Sequence, residues 1–265
     1  MKNNILIIIA VFLLAGCGGI NKILKNKAPE YKLRIAEQYF AKKKYSKAQS
    51  LYEDVMPFYR SQKEFEDIYY KFAYCAYYQL DYDNAENLFK NFLELFPNST
   101  KSDELDYMRA YAYYKQSPKA ELDQTNTTKA LELMQIFINT HPGSARNKEA
   151  YEIIEKLRTK LEVKEYKSAT LYYDLGQFRA AGVSFTALLD NFPESQLADE
   201  YKFMIIKSYY KFAELSVEEK KQERFEKVVT ECNEFNDRFP ESKLGKEVEL
   251  LLNLSNNNLK NLNNE

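Results

Sequence analysis

Side chains able to do covalent or acid–base chemistry are few in this sequence and poorly spaced for it. There is one histidine, His141, directly before Pro142. A Ser–His–Asp triad or a zinc site built on imidazole needs that ring in a cleft. A residue before proline is held extended, where a helix ends. Phe occupies the same place in Phe96-Pro97, Phe192-Pro193 and Phe239-Pro240, so His141 reads as a structural replacement. Carboxylates cluster at Glu64/Glu66/Asp67 and Glu218/Glu219, in polar helix ends. There they face solvent or complement helix N-termini rather than form an acid–base pair. The three cysteines, Cys17, Cys75 and Cys232, include no C-x-x-C pair, so neither a zinc ribbon nor a dithiol redox site is indicated. Glycine-rich phosphate loops, Ser-centred elbows and His-Glu-x-x-His are missing. No metal site, no cofactor and no enzyme activity is expected.

One cysteine does have a chemistry. Met1-Lys2-Asn3-Asn4 is basic, Ile5 to Leu14 is wholly apolar, and Leu14-Ala15-Gly16-Cys17 follows at once. Ten apolar residues at about 1.5 Å each cannot cross a bilayer core of about 30 Å, so the run reads as a signal peptide. The Leu-Ala-Gly-Cys sequence resembles the bacterial lipobox, in which the Cys thiol receives diacylglycerol and cleavage makes that Cys the first residue. Residues 1–16 are therefore expected to be removed, and Cys17 to carry diacylglycerol and an N-acyl chain. Two or three acyl chains, at about 0.8 kcal/mol per buried CH₂, make anchoring stable. Residues 17–28 are the tether, whose Lys22, Lys25 and Lys27 keep it solvated. Removing 1–16 takes away one of 38 basic residues and none of 39 acidic ones, so no basic field points to nucleic acid.

The remaining chain must be helical. Gly and Pro number only 7 each in 265 residues, too few for the turns of an all-β fold. Four segments end alike: Phe96-Pro97-Asn98-Ser99, His141-Pro142-Gly143-Ser144, Phe192-Pro193-Glu194-Ser195 and Phe239-Pro240-Glu241-Ser242. Pro stops one helix and Ser two residues later is placed to cap the next. Twelve residues before each Pro stand Ala85, Ala130, Ala181 and Val228. Twelve before Ala48, Ala85 and Ala181 stand Ala36, Ala73 and Ala169; in the third and fifth copies the gap is 20 (Ala110 to Ala130, Ser208 to Val228), which places eight extra residues in the helix–helix turn. Aromatics at Tyr45, Tyr82, Phe178 and Phe225, with large apolar residues four and seven after each small one, line one helix face.

This lattice resembles the tetratricopeptide repeat. The expected fold is all-α, a right-handed superhelical solenoid of about five tetratricopeptide-like helix pairs. Residues 29–143 hold repeats 1–3, with Arg60 where the first repeat lacks its Pro. Residues 144–255 hold repeats 4–5 and a capping helix, with one long helix over 144–175. An Asn-rich polar tail at 256–265 is expected to fray. In the repeat frame the groove positions of the second and third pairs are Tyr70, Tyr74, Tyr77, Tyr78, Tyr107, Tyr111 and Tyr114, continued by Tyr166 and Tyr173. Tyr offers an apolar face and a hydroxyl at low entropy cost, which suits peptide binding. The alternative is that the stripe packs on neighbouring helices. Lys and Arg are scarce at these positions, so a carboxylate clamp is not expected.

A lipobox followed by such pairs resembles the BamD family of outer-membrane protein assembly lipoproteins. The likeness is most specific in Tyr107-Met108-Arg109-Ala110, the loop Asp123-Gln124-Thr125, Ala130 through Phe137 to Pro142-Gly143-Ser144, and Leu157-Arg158 through Gly176 to Ala181. The charged stretch Glu218 to Glu223 and the long tail depart from that pattern. The resemblance implies an outer-membrane lipoprotein anchored at the periplasmic face. It implies that the C-terminal repeats bind the POTRA domains of a BamA-type barrel protein and that the N-terminal repeats meet unfolded outer-membrane proteins. A periplasmic repeat lipoprotein for envelope or cell-wall coordination is the alternative, although no heptad stretch precedes the repeats. A glycan-capturing surface lipoprotein fits less well, since such proteins use Trp platforms and Trp is absent.

Overall fold

The computed structural model describes residues 18–25 and 28–263; Cys17, the signal segment and Lys27 lie outside them. Twelve helices and no strand occur among the described residues. The chain divides into two compact units, one holding residues up to 118 together with 123–157, the other holding 119–122 and residues from 158 on.

In the first unit a short helix α1 (Gly18–Leu24) precedes three helix pairs: α2 (Pro29–Ala41) with α3 (Tyr45–Tyr59), α4 (Phe65–Tyr78) with α5 (Tyr82–Leu95), and α6 (Ser102–Gln116) with α7 (Thr125–Thr140). From α2 to α7 each helix packs on the next. The second unit holds α9 (Phe178–Asn191), α10 (Ala198–Glu214), α11 (Glu218–Arg238) and α12 (Gly245–Leu262), with α10 touching both α11 and α12. The long helix expected over 144–175 is α8 (Asn147–Asp174). Its Ala150, Ile153, Ile154 and Leu157 join the core of the first unit. Its Ala169, with Tyr166 and Tyr173, joins the α9–α10 core of the second. The division thus falls inside α8, whereas the sequence changes segment at 143/144.

The small-residue lattice is the packing code of both units. Ala36, Ala48, Ala73, Ala85, Ala110, Ala130, Ala169, Ala181, Ser208 and Val228 all have no exposed surface. A side chain no larger than an isopropyl group at each crossing lets two helices close. The residues four and seven beyond, such as Phe89 with Phe92 and Phe185 with Leu188, fill the adjoining space and are equally buried. In the fifth pair those places belong to Cys232 and Phe235, so Cys232 is a core residue. Cys75 is another, and both thiols are free. Burial pushes each thiol up to about 12, which leaves them unreactive.

The four Pro turns share one geometry. Phe96, His141, Phe192 and Phe239 close their helices at φ between −123° and −130°, each donating its N–H to the carbonyl four residues back. The Ser Oγ atoms do not cap the following helices as their spacing suggested: each stands two residues before the helix-flanking residue and braces the turn, accepting from the N–H of Lys101, Arg146, Leu197 and Leu244 at 3.0–3.2 Å. The tight turns within pairs 1, 2 and 4 are also alike. Lys43, Leu80 and Gly176 have φ of 56°, 65° and 72°. The N–H of Lys44, Asp81 and Gln177 reaches back five residues to Tyr39, Ala76 and Tyr172 carbonyls.

Three further sequence expectations are corrected. The tether is not merely solvated: Ile20, Ile23 and Leu24 of α1 pack on the first repeat's core, leaving Lys22 and Lys25 exposed. The extra residues of the third pair do form a turn at 117–124, but those of the fifth extend a helix. α11 starts ten residues before Val228, whereas α3, α5 and α9 start three before Ala48, Ala85 and Ala181. The polar tail is helical to Leu262, because Leu259 and Leu262 return every third to fourth residue to the α10–α11 core and Ser255 is buried against the Leu251 carbonyl.

Candidate functional site

The seven tyrosines proposed from sequence are brought together in the first unit. Tyr70, Tyr74, Tyr77 and Tyr78 lie along α4, and Tyr107, Tyr111 and Tyr114 along α6, at helical spacings that put each set on one face. Ring centroids run in a continuous ladder: Tyr70 to Tyr74 at 4.7 Å, Tyr74 to Tyr78 at 5.6 Å, Tyr77 to Tyr111 at 6.5 Å, and Tyr111 to Tyr107 and Tyr114 at 5.6 and 5.5 Å. Tyr78 stacks on Tyr45 at 4.5 Å, which carries the ladder to the first pair.

The ladder is not uniformly open. Tyr74 and Tyr107 are buried, Tyr70, Tyr77, Tyr111 and Tyr114 half-buried, and Tyr78 is 45% exposed. The packing reading thus holds fully for two members and partly for four others. Tyr74 and Tyr107 belong to the core. Tyr78 and the outer edges of Tyr77, Tyr111 and Tyr114 form the accessible surface.

Glu104, not singled out in the sequence, is the polar centre. Its carboxylate accepts the Tyr74 hydroxyl at 2.5 Å and the Tyr70 hydroxyl at 3.1 Å, tying α4 to α6. It stands three residues before Tyr107, on the same helix face, which is the signal that could have found it. Cations also reach the rings from outside the groove positions. The Arg146 guanidinium lies 4.7 Å from the Tyr107 ring centroid and the Lys101 ammonium 5.6 Å from that of Tyr70. Lys101 is held by Glu66 and Asp67 at 3.0 and 2.9 Å. In the preceding pair Glu37 has a similar role, bonded to Lys71 at 2.6 Å and Tyr52 at 3.0 Å.

Burial pushes the Tyr70 and Tyr77 phenols up to about 12, with the Glu104 carboxylate adding to it at Tyr70. Tyr74 and Tyr107 are raised further by burial and by Glu104 and Glu149 respectively. These phenols stay protonated, so they act as hydrogen-bond donors on an aromatic surface, never as nucleophiles or bases. The Tyr107 hydroxyl makes no hydrogen bond of normal geometry. In the second unit Tyr166 donates to Glu200 and Tyr201 to Glu162, both at 2.8 Å, the same device between α8 and α10.

Remaining candidates resolve as structure. His141 packs on Phe137 at 5.0 Å, as Phe96 does on Phe92 at 4.8 Å, and its Nε2 sits 3.2 Å from Asp106. Glu66 and Asp67 serve Lys101 and Ser99. No group of side chains suited to a metal ion occurs among the described residues. No described helix is long and apolar enough to cross a membrane.

Helix pairs joined at small-residue crossings, with an aromatic face on their first helices, define a tetratricopeptide-like repeat protein. Comparison with family models gives the particular family: residues 26–224 match YfiO, described as an outer membrane lipoprotein. The chain belongs to that family, which is the BamD family resembled by its sequence. Among curated proteins none matches the chain. Among solved structures it is similar to the complex of the TPR2AB domain of yeast Sti1 with pHSP90, at 12% identity and a TM-score of 0.39, covering 86% of this chain and 98% of that one. It is also similar to a TPR-repeat protein from Bacteroides fragilis, at 14% identity and a TM-score of 0.40, covering 87% and 99%.

Proposed function

We propose that this chain is a non-catalytic lipoprotein scaffold of the machinery that assembles outer-membrane β-barrels. The observation that carries the reading is membership of an outer-membrane lipoprotein family over residues 26–224. The lipobox supports lipidation at Cys17 and anchoring at the periplasmic face. The second unit is assigned the POTRA-bearing, BamA-type barrel protein, and the first unit the unfolded outer-membrane proteins. The tyrosine ladder supports the second assignment. An extended client strand presents alternating apolar side chains, and Tyr78 with the outer edges of Tyr77, Tyr111 and Tyr114 offers flat apolar faces beside hydroxyl donors. The lipid contributes by concentration, since tethering both partners to one membrane makes their encounter nearly intramolecular. The anchor is short, because α1 is docked on the first pair directly after the tether begins.

Depletion of the protein from growing cells tests this. Outer-membrane barrels are expected to lose heat-modifiable mobility on gels and to accumulate unfolded in the periplasm. Normal barrel folding in depleted cells would refute the assembly role.

A further inference from the structure

The early start of α11 builds a feature that the core does not require. Its first two turns precede Phe225, the first buried residue of the helix, and together with the turns that follow they form one wall of a groove of about 550 Å³. That volume lies in the range of about 300–1,000 Å³ usual for ligand sites. The floor is Tyr209 and Phe212 of α10, and the rim carries Arg179, Lys220, Arg224 and Lys227. Gly182 of α9 packs against the Tyr209 ring of the floor. A Cβ at that position would stand 2.9–3.2 Å from the Tyr209 ring, so glycine is what allows the ring to lie against α9. A mid-helix glycine weakens a helix relative to alanine, and here it makes room for the Tyr209 ring.

The rim is cationic in a chain of net charge −1. Its two carboxylates are engaged: Glu223 with Lys220 at 3.3 Å and Glu226 with Gln222 at 3.1 Å. Lys227 is tied to Glu231 at 2.5 Å. Arg179 and Arg224 have no carboxylate within salt-bridge distance among the described residues. The Arg224 guanidinium sits over Phe212, its Cζ 3.9 Å from the ring centroid, and donates to Ser216. That contact and the Ser216 bond hold the guanidinium at the groove lining, where its remaining N–H donors can serve a carboxylate. Two guanidiniums without a carboxylate partner, beside two half-exposed aromatic rings, are complementary to a carboxylate next to an apolar side chain.

We infer that this groove binds a short acidic segment of a partner protein, with one aromatic side chain seated on Tyr209 and Phe212 and flanking carboxylates held by Arg179 and Arg224. The site is separate from the tyrosine ladder and does not depend on the barrel-assembly reading. Bidentate carboxylate–guanidinium bonds supply orientation, and the aromatic floor selects against purely polar acidic sequences.

The test is fluorescence anisotropy of the full chain in detergent with a fluorescein-labelled peptide of alternating Asp and Glu around one central Phe. Saturable binding that weakens with salt is expected. Reversing the exposed cations, Arg179→Glu with Lys220→Glu, is expected to weaken it at least tenfold while circular dichroism stays unchanged. Replacing the peptide's Phe by Ser is expected to weaken it about fivefold, the loss of one buried aromatic contact. Absence of saturation, or equal affinity for the charge-reversed variant, would overturn the proposal. So would binding of phosphatidylglycerol vesicles that depends on the same cations while the peptide does not bind.

Discussion

Replacing Tyr74 by Phe separates the structural from the binding role of the ladder. The change removes one hydroxyl from a residue only 6% exposed and leaves the ring packed on Phe89 at 5.4 Å. What is lost is the 2.5 Å hydrogen bond to Glu104. A hydrogen bond to a charged group contributes about 1.5–3 kcal/mol. Two facts place this one at the low end. Glu104 keeps the Tyr70 hydroxyl at 3.1 Å, and its side chain is 37% exposed, so water replaces the missing donor. The expected cost is about 1.5 kcal/mol. With a urea m-value of about 2 kcal/mol/M, that lowers the midpoint by about 0.7 M. The chain has no Trp, so near-ultraviolet circular dichroism reports the packing of its 22 Tyr and 17 Phe, the ladder among them. Tyr78→Phe is the control, because its ring is stacked and exposed and its hydroxyl has no hydrogen-bond partner among the described residues. Equal midpoints for Tyr74→Phe and wild type, or an equal loss in Tyr78→Phe, would refute the reasoning. Client-peptide affinity is expected to respond oppositely, falling in Tyr78→Ala and holding in Tyr74→Phe.

Lys202→Met is expected to cost about 3 kcal/mol, read as a lowered urea midpoint of the second unit. It strips a buried Glu231 of one of its two cations and Glu234 of its 2.6 Å bond, and unpairing buried charge is costly. Adding Glu231→Gln should recover some of the loss. Gly176→Ala is expected to cost about 1 kcal/mol, since φ is +72° and nothing lies within 4 Å of a new Cβ, so the penalty is conformational alone. Leu80→Gly, at φ 65° in the corresponding turn and 70% exposed, should gain up to about 1 kcal/mol, visible as a raised Tm. Hydrogen bonds from Ser99 and then Lys101 hold the Glu66 carboxyl below the usual carboxylate range, and Lys101 does the same for Asp67. Groups more acidic when folded stabilise above their unfolded pKa and lose that contribution as pH falls through the folded value. Acid titration should therefore unfold wild type with a steeper limb below about pH 4.5 than Lys101→Met, and by a modest amount because these groups are partly exposed.

Periodicity carried most of the fold, because each helix crossing admits only a small residue and each adjoining space only a large one. That is why Ala85, Phe89 and Phe92 could be read as buried from their spacing alone, and why Cys232 could have been. The Pro turns were equally legible from Phe96-Pro97-Asn98-Ser99 and its copies. Insertions were not, since eight residues fit a loop in the third pair and two helical turns in the fifth without altering the lattice. Nor was the end of α12, where Asn-rich composition concealed Leu259 and Leu262 on one face. The tyrosine stripe was visible, but its division into buried Tyr74 and Tyr107 and exposed Tyr78 follows from how α4 and α6 approach through Glu104. The charge-complementary groove at Arg179 and Phe212 joins residues from three helices, and no spacing along the chain announces it.

The central claim is tested most directly by affinity purification of the tagged full chain from detergent-solubilised envelopes, followed by mass spectrometry. A POTRA-bearing barrel protein recovered in stoichiometric amount is the predicted result. Recovery of cell-wall synthases or Tol-type envelope proteins without such a barrel protein would contradict it.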